Sequence, residues 1–295
     1  MRTLLQVAES GLPKSGTIPR MQRGLPQRQR IKDVNKVVAV SSAKGGVGKS
    51  TIAANLALAF ARQGYRSGIL DTDLFGPSIP TLFALNEEPR LSATYSYADS
   101  LDNQLIPLSN YGVKTMSMGY LIPEDSPVVW RGLMVMKAMQ QLLHEVEWGG
   151  LDVLVLDLPP GTGDTQLSLT QQIEIDGTII VTTPHNLAVK DAVKGINMFQ
   201  KLPKPVPILG LVGNMGIYKC PCCNTESRIF GYEERIVKLA KEYKIDMLAE
   251  IPLSPEVSHQ DYEGQPTVVA EPDHERAKRY MDLANKVADK LSLKL

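Results

Sequence analysis

The sequence predicts one doubly wound α/β domain, a mainly parallel sheet with helices on both faces. Three observations carry this reading. From Val37 onward, short β-branched runs alternate with longer stretches of helical periodicity. The runs are apolar throughout rather than alternately polar, as strands covered on both faces must be. No repeat, low-complexity block or linker marks a second domain.

In chain order, β-branched runs place strands at 37–42, 68–71, 153–157, 178–182, 208–212 and 247–251. Helical stretches fall between them at 50–62, 133–146, 187–200 and 233–244. The Pro-rich 201–207 reads as a helix-to-strand connection. A last helix carries its apolar stripe on Tyr280, Leu283, Ala284, Val287, Ala288 and Leu291.

Composition bounds the function. With 295 residues, 43% hydrophobic and 22% charged, the chain can bury a large core, and bulk disorder is excluded. Lys+Arg and Asp+Glu each number 32, so no global positive charge points to nucleic acid. Apolar runs such as 153–158 fall far short of the about 20 residues that span a bilayer. The three cysteines all lie within 220–223, which points to a reducing compartment and a local thiol site rather than a disulfide framework. Residues 1–32 hold seven basic residues (Arg2, Lys14, Arg20, Arg23, Arg28, Arg30, Lys32) against the single acid Glu9. They read either as a mitochondrial presequence or as a basic tail with no address, leaving 33–295 as the folded domain.

The most specific string is Ala43-Lys44-Gly45-Gly46-Val47-Gly48-Lys49-Ser50-Thr51, directly after a strand and opening a helix. Such a loop aims backbone N–H groups and the positive end of a helix at one point, and so suits a polyphosphate such as ATP. Lys49 is expected to reach the β- and γ-phosphates, Ser50 to ligate Mg²⁺ and Thr51 to cap the α-phosphate. Ala43 stands where the strict pattern has Gly. Asp157 ends an apolar strand beside this loop, the place for a Mg²⁺-water ligand, and Gly161 and Gly163 let the segment after it move. A second strand ends in Asp71-Thr72-Asp73, where Asp73 is the better candidate to orient an attacking water.

Lys219-Cys220-Pro221-Cys222-Cys223-Asn224 brings a C-x-x-C pair, Cys220 and Cys223, that lets two thiolates converge on one metal or cluster. Two sulfurs do not complete a four-ligand shell, and His144, His185, His259 and His274 are distant in sequence. A symmetric homodimer would supply two pairs and hold one [4Fe–4S] cluster. A zinc knuckle across a dimer and a metal-free redox dithiol stay open beside it. Cys222 is a bystander, a transfer ligand or a redox partner.

The string 44–51 resembles the deviant Walker A loop of the ParA/MinD (SIMIBI) ATPases. Asp71-Thr72-Asp73-Leu74-Phe75-Gly76-Pro77-Ser78, Asp157-Leu158-Pro159-Pro160-Gly161-Thr162-Gly163-Asp164, Gly119, Trp130-Arg131-Gly132-Leu133-Met134-Val135 and Gly213-Asn214-Met215 are similar to its Mrp/Nbp branch. The resemblance runs over nearly all of 25–291. It implies a P-loop ATPase fold, Lys44 crossing a dimer interface to the partner's nucleotide, Asn214 on the adenine base with 251–253 nearby, and a C-P-x-C motif at Cys220 and Cys223. It further implies an ATP-dependent cluster carrier that serves apo iron–sulfur proteins. The basic leader and Gly24-Leu25-Pro26 look most like the branch's mitochondrial type, associated with respiratory complex I; otherwise the location is a bacterial cytoplasm. Hydrolysis is expected to be slow, since the sequence supplies no evident arginine finger in cis; Arg131, the one candidate, reads better as a surface charge at a helix start. The rival readings are a positioning ATPase on DNA or membrane, working through a detachable C-terminal helix, and a nitrogenase-reductase-like electron donor. The second needs cysteine ligands on separate loops. On the favoured reading no nucleic acid is bound and membrane association is peripheral at most.

Overall fold

The computed structural model describes residues 28–294 apart from 75, 96–100, 122–131, 221 and 224, with 93–95, 101–103, 132–136 and 164 described by their backbone. Strand β1 (Val34–Ser41) leads into α1 (Lys49–Arg62), and β2 (Ser67–Asp71) into the short α2 (Ile79–Leu82). A separate hairpin, β3 (Leu91–Tyr95) with β4 (Leu101–Leu105), and the antiparallel pair β5 (Leu108–Asn110) and β6 (Val113–Ser117) precede α3 (Gly132–His144). Next come β7 (Leu151–Asp157), α4 (Asp164–Gln172), β8 (Gly177–Thr182), α5 (Asn186–Lys201) and the long β9 (Ile208–Lys219). The chain finishes with β10 (Glu226–Ser227), α6 (Glu234–Tyr243), β11 (Met247–Leu253), α7 (Pro255–Tyr262), α8 (Thr267–Ala270) and α9 (Glu275–Leu291).

Nine strands form one sheet in the order β10-β9-β8-β1-β7-β2-β6-β5, with β11 also on β9. All pairings among β1, β2, β6, β7, β8, β9 and β11 are parallel. The register sets Asp157 beside both Val40 and Asp71, so β1, β7 and β2 end level and their loops leave the same edge. Ligands of open α/β sheets bind at that edge.

Each strand feeds two cores, as apolar runs require. Val37, Ala39, Leu154 and Leu156 pack beneath α3, α4, α5 and α6 on one face. Val38, Val40, Val153 and Val155 pack beneath α1 and α9 on the other. The predicted C-terminal stripe is consumed here: Tyr280, Leu283, Ala284, Val287, Ala288 and Leu291 are all buried. The detachable amphipathic helix of the positioning-ATPase rival therefore has no free apolar face.

Three differences from the sequence reading are instructive. β9 runs to Lys219 instead of stopping at 212, because Asn214 and Tyr218 pair with β11 and Tyr218 and Lys219 pair with β10. Strands β3 to β6 escaped notice because peripheral strands carry polar residues and lack a continuous apolar run. Residues 28–32 belong to the fold rather than to the basic leader: Ile31 is buried, Gln29 bonds Gln172 and Glu174, and Arg30 pairs with Glu174 at 3.1 Å. Residues 1–27, with the rest of the leader, lie outside the described residues.

Because Leu283 is fully buried between α9 and the sheet, Leu283→Ala should lower unfolding free energy by about 2–5 kcal/mol. Urea denaturation followed by circular dichroism reads this, with exposed Lys294→Ala as the near-silent control.

Candidate nucleotide site and thiol hairpin

The loop between β1 and α1 has the backbone that its glycines foretell. Gly46 and Gly48 take φ of +74° and +81°, a region where a side chain strains the backbone. Position 48 is closed a second way, since a Cβ there would sit 2.2 Å from the Asn214 amide nitrogen. That amide donates to the Val47 carbonyl at 2.8 Å, and the Asn214 side-chain oxygen accepts from Met215 N–H. Asn214 thus props the loop from behind. Gly48 offers no side-chain cap to α1, which leaves the first N–H groups of the helix for an anion. A cavity of about 490 Å³ opens over the loop, walled by Lys49, Ser50, Thr51, Asp73, Pro160 and Asp261.

Lys49 does not extend into this cavity. Its ammonium sits 2.5 Å from Asp157 Oδ1 and 3.1 Å from the Ser50 hydroxyl, and both ionic side chains are buried. Asp157 Oδ2 is buried and has no hydrogen-bond partner among the described residues. An orphaned carboxylate oxygen next to a serine hydroxyl fits a hydrated Mg²⁺. Thr51 is likewise engaged away from the loop, donating to Asp261 Oδ2 at 2.8 Å.

Asp71 has a different task from its neighbour Asp73. Fully buried, it accepts from Asp73 N–H, Ser78 N–H, Ile79 N–H and the Ser117 hydroxyl at 2.9–3.2 Å, tying the β2–α2 loop to the sheet. Gly119 packs on the same loop, where a Cβ would meet Pro80 at 2.8 Å. Half-buried Asp73 faces the cavity instead. Burial pushes the Asp71 carboxyl up to about 7, helped by the Asp157 charge. Burial also raises Asp157, with Lys49 opposing. Lys49 sits against Asp157, so it offsets burial there more directly than at Asp71.

The cysteines occupy the loop of the β9–β10 hairpin, which closes through Cys220 N–H to the Thr225 carbonyl at 3.0 Å. Cys223 Sγ lies 3.2 Å from the Thr225 hydroxyl. Hydrogen bonds from Thr225 first, and from Cys220, hold the Cys223 thiol below its ordinary range, toward the thiolate that binds metal. Cys220 is half-buried, while Cys222 and Cys223 are exposed. Among the described residues no group of three His, Cys, Asp or Glu side chains is placed to hold one metal ion.

Beside it opens a cavity of about 390 Å³, walled by Gly216, Ile217, Cys220, the 251–253 segment and several glutamates. His274 lines it too, although it is distant in sequence. Its Nδ1 accepts from Arg276 N–H at 3.1 Å and caps α9.

A family model described as "ParA: NUBPL iron-transfer P-loop NTPase" matches residues 33–288. The chain belongs to that family. Among curated relatives, the mouse "Iron-sulfur cluster transfer protein NUBPL" is 46% identical over 96% of this chain and 86% of its own length. The Arabidopsis thaliana "Iron-sulfur protein required for NADH dehydrogenase, mitochondrial" is 45% identical over 88% and 79%. A nucleotide-binding protein from Archaeoglobus fulgidus, solved with ADP, superposes with a TM-score of 0.69 at 34% identity, covering 85% of this chain and 94% of that one. The cell-division ATPase MinD of Pyrococcus furiosus, 20% identical with a TM-score of 0.57 over 86% and 99%, shares the fold.

The fold brings the predicted set Gly45, Gly46, Gly48, Lys49, Ser50, Thr51 and Asp73 to one cavity, with Asp157 on Lys49 and Asn214 behind the loop. Val47 is buried, and the Lys44 carbonyl accepts from the Ser42 hydroxyl. Cys220 and Cys223 lie instead on the neighbouring hairpin. Trp130 and Arg131 lie outside the described residues. Sequence reasoning missed Asp261, which meets the loop from 210 positions away, and Thr225, which tunes Cys223. Neither sits in a motif.

A carbon-detected NMR titration of nucleotide-free protein should place the Asp71 carboxyl midpoint near 7 rather than near 4. In Asp157→Asn the midpoint should fall, because losing the neighbouring negative charge makes deprotonation easier.

Proposed function

We propose that this chain is an ATP-dependent carrier that holds an iron–sulfur cluster as cargo and hands it to apo iron–sulfur proteins, complex I subunits among them. One observation carries the reading: a half-buried Cys220 beside an exposed Cys223 that is held toward its thiolate, with no third ligand among the described residues, set on a nucleotide-binding fold. The relatives named as cluster-transfer proteins, one of them required for a mitochondrial NADH dehydrogenase, support it.

Two such pairs, one from each copy in a homodimer, supply the four thiolates of a [4Fe–4S] cluster through Cys220 and Cys223. A cluster held by shared edges is labile, which suits a carrier. In the nucleotide site, Gly45, Gly46, Val47, Gly48 and Thr51 cradle the phosphates, Asn214 turns from the Val47 carbonyl to meet the adenine, and Lys44 reaches the partner's nucleotide. Lys49 moves from Asp157 to the β- and γ-phosphates as ATP enters. Mg²⁺, held by Ser50 and through water by Asp157, neutralises phosphate charge when bound. Asp73 orients the attacking water, and hydrolysis is slow. The basic leader directs the protein to the mitochondrial matrix, where it works without nucleic acid and with at most peripheral membrane contact.

Anaerobic purification and reconstitution with iron and sulfide tests the cargo. Wild type should hold one cluster per two chains, and Cys220→Ala and Cys223→Ala should hold none. Equal iron and sulfide in the double variant would refute the reading. Lys49→Ala removes a charge-assisted contact worth about 2 kcal/mol, so ATP should bind roughly 30-fold more weakly. Cluster transfer by that variant should lose its response to ATP.

A further inference from the structure

Helix α7 touches both functional cavities. At its C-terminal end, Asp261 and Tyr262 line the cavity over the phosphate loop. At its other end, Ser254 and Glu256 line the cavity that Cys220 shares. None of its eight residues is buried, so polar contacts at the two ends hold it rather than a core-facing stripe. At the thiol side, the buried Arg276 guanidinium engages both the Ser254 hydroxyl and the Glu256 carboxylate. At the loop side, Asp261 Oδ2 takes the Thr51 hydroxyl at 2.8 Å, while Asp261 Oδ1 is buried with no hydrogen-bond partner among the described residues.

A carboxylate in that position is at odds with a cavity whose floor gathers phosphates. It occupies the hydroxyl of a loop residue, and it repels any polyanion that approaches. We propose that Asp261 is a latch: it holds α7 on Thr51 in the nucleotide-free protein and is expelled by the phosphates of ATP, so that α7 reports phosphate occupancy to the wall of the thiol cavity. The proposal rests on the nucleotide-carrier reading above and adds its internal linkage. Within the last turn of α7 the Gln260 side-chain oxygen accepts from the Thr267 hydroxyl at 2.9 Å, and just beyond the helix the Gly264 carbonyl accepts from the Tyr111 hydroxyl at 2.9 Å. These contacts fix the C-terminal end, so release of Asp261 tilts the helix and displaces Ser254 and Glu256 beside Cys220.

The test measures ATP affinity by calorimetry and the alkylation rate of Cys220 by mass spectrometry, in cluster-free wild type, Asp261→Ala and Asp261→Asn. In wild type, ATP should change Cys220 alkylation about fivefold, within the ordinary range of coupling between sites. Asp261→Ala should bind ATP about fivefold more tightly and show the ATP-bound alkylation rate before ATP is added. Asp261→Asn keeps an acceptor for Thr51 without the charge. It should bind ATP more tightly yet keep the wild-type rate in its absence, which separates the latch from a general loss of structure. Wild-type affinity and wild-type alkylation in both variants would overturn the latch alone. Failure of wild type to bind ATP would sink the carrier reading, and the latch with it.

Discussion

The buried ion pair between Lys49 and Asp157 is the contact on which the site turns. Two charges taken out of water are tolerable only while each answers the other, and separating them costs on the order of 3–5 kcal/mol. A phosphate that draws Lys49 away must therefore arrive with a replacement cation for Asp157. On the proposed reading, nucleotide and magnesium would enter as one neutralising package, and a free anion would not open the site on its own. Next to this pair, buried Asp71 has its carboxyl pushed up to about 7 and serves as a connector, accepting from the loop that carries Asp73. Two adjacent carboxyls are thus pushed into different roles by where the single ammonium lies.

Much of this was legible in the chain. Apolar strands and one Gly-rich loop were enough to place β1, α1, β7 and the edge from which the site grows. The glycine at 48 could be read for its φ, though not for its contact with Asn214, since that contact depends on β9 lying next to β8 and reaching the loop. The C-x-x-C spacing disclosed two ligands. That β9 would carry them directly at its end was hidden, because its extension past Val212 is decided by pairing with β10 and β11 and not by local apolarity. His274 and Asp261 were invisible for a related reason: the turns that place them are local, but the surfaces they meet are built from the other end of the chain.

On the carrier reading, the thiol hairpin would show how little structure an exchangeable cargo needs. The Cys220 N–H closes the loop on the Thr225 carbonyl, and Thr225 lowers the Cys223 thiol. Such a site gains by being incomplete, since a chain that supplied every ligand itself would have to break its own cage to let go.

Asn214 lies midway along β9 and Cys220 directly follows the strand's last residue, six positions on, or roughly 20 Å of extended chain. The middle of β9 steadies the phosphate loop and its end presents sulfur. Because side chains alternate along a strand, adding or deleting one residue between them would turn the thiol to the opposite face of the sheet while leaving the nucleotide end untouched. The length of that segment, more than the identity of its residues, is therefore what keeps the two halves of the protein in register.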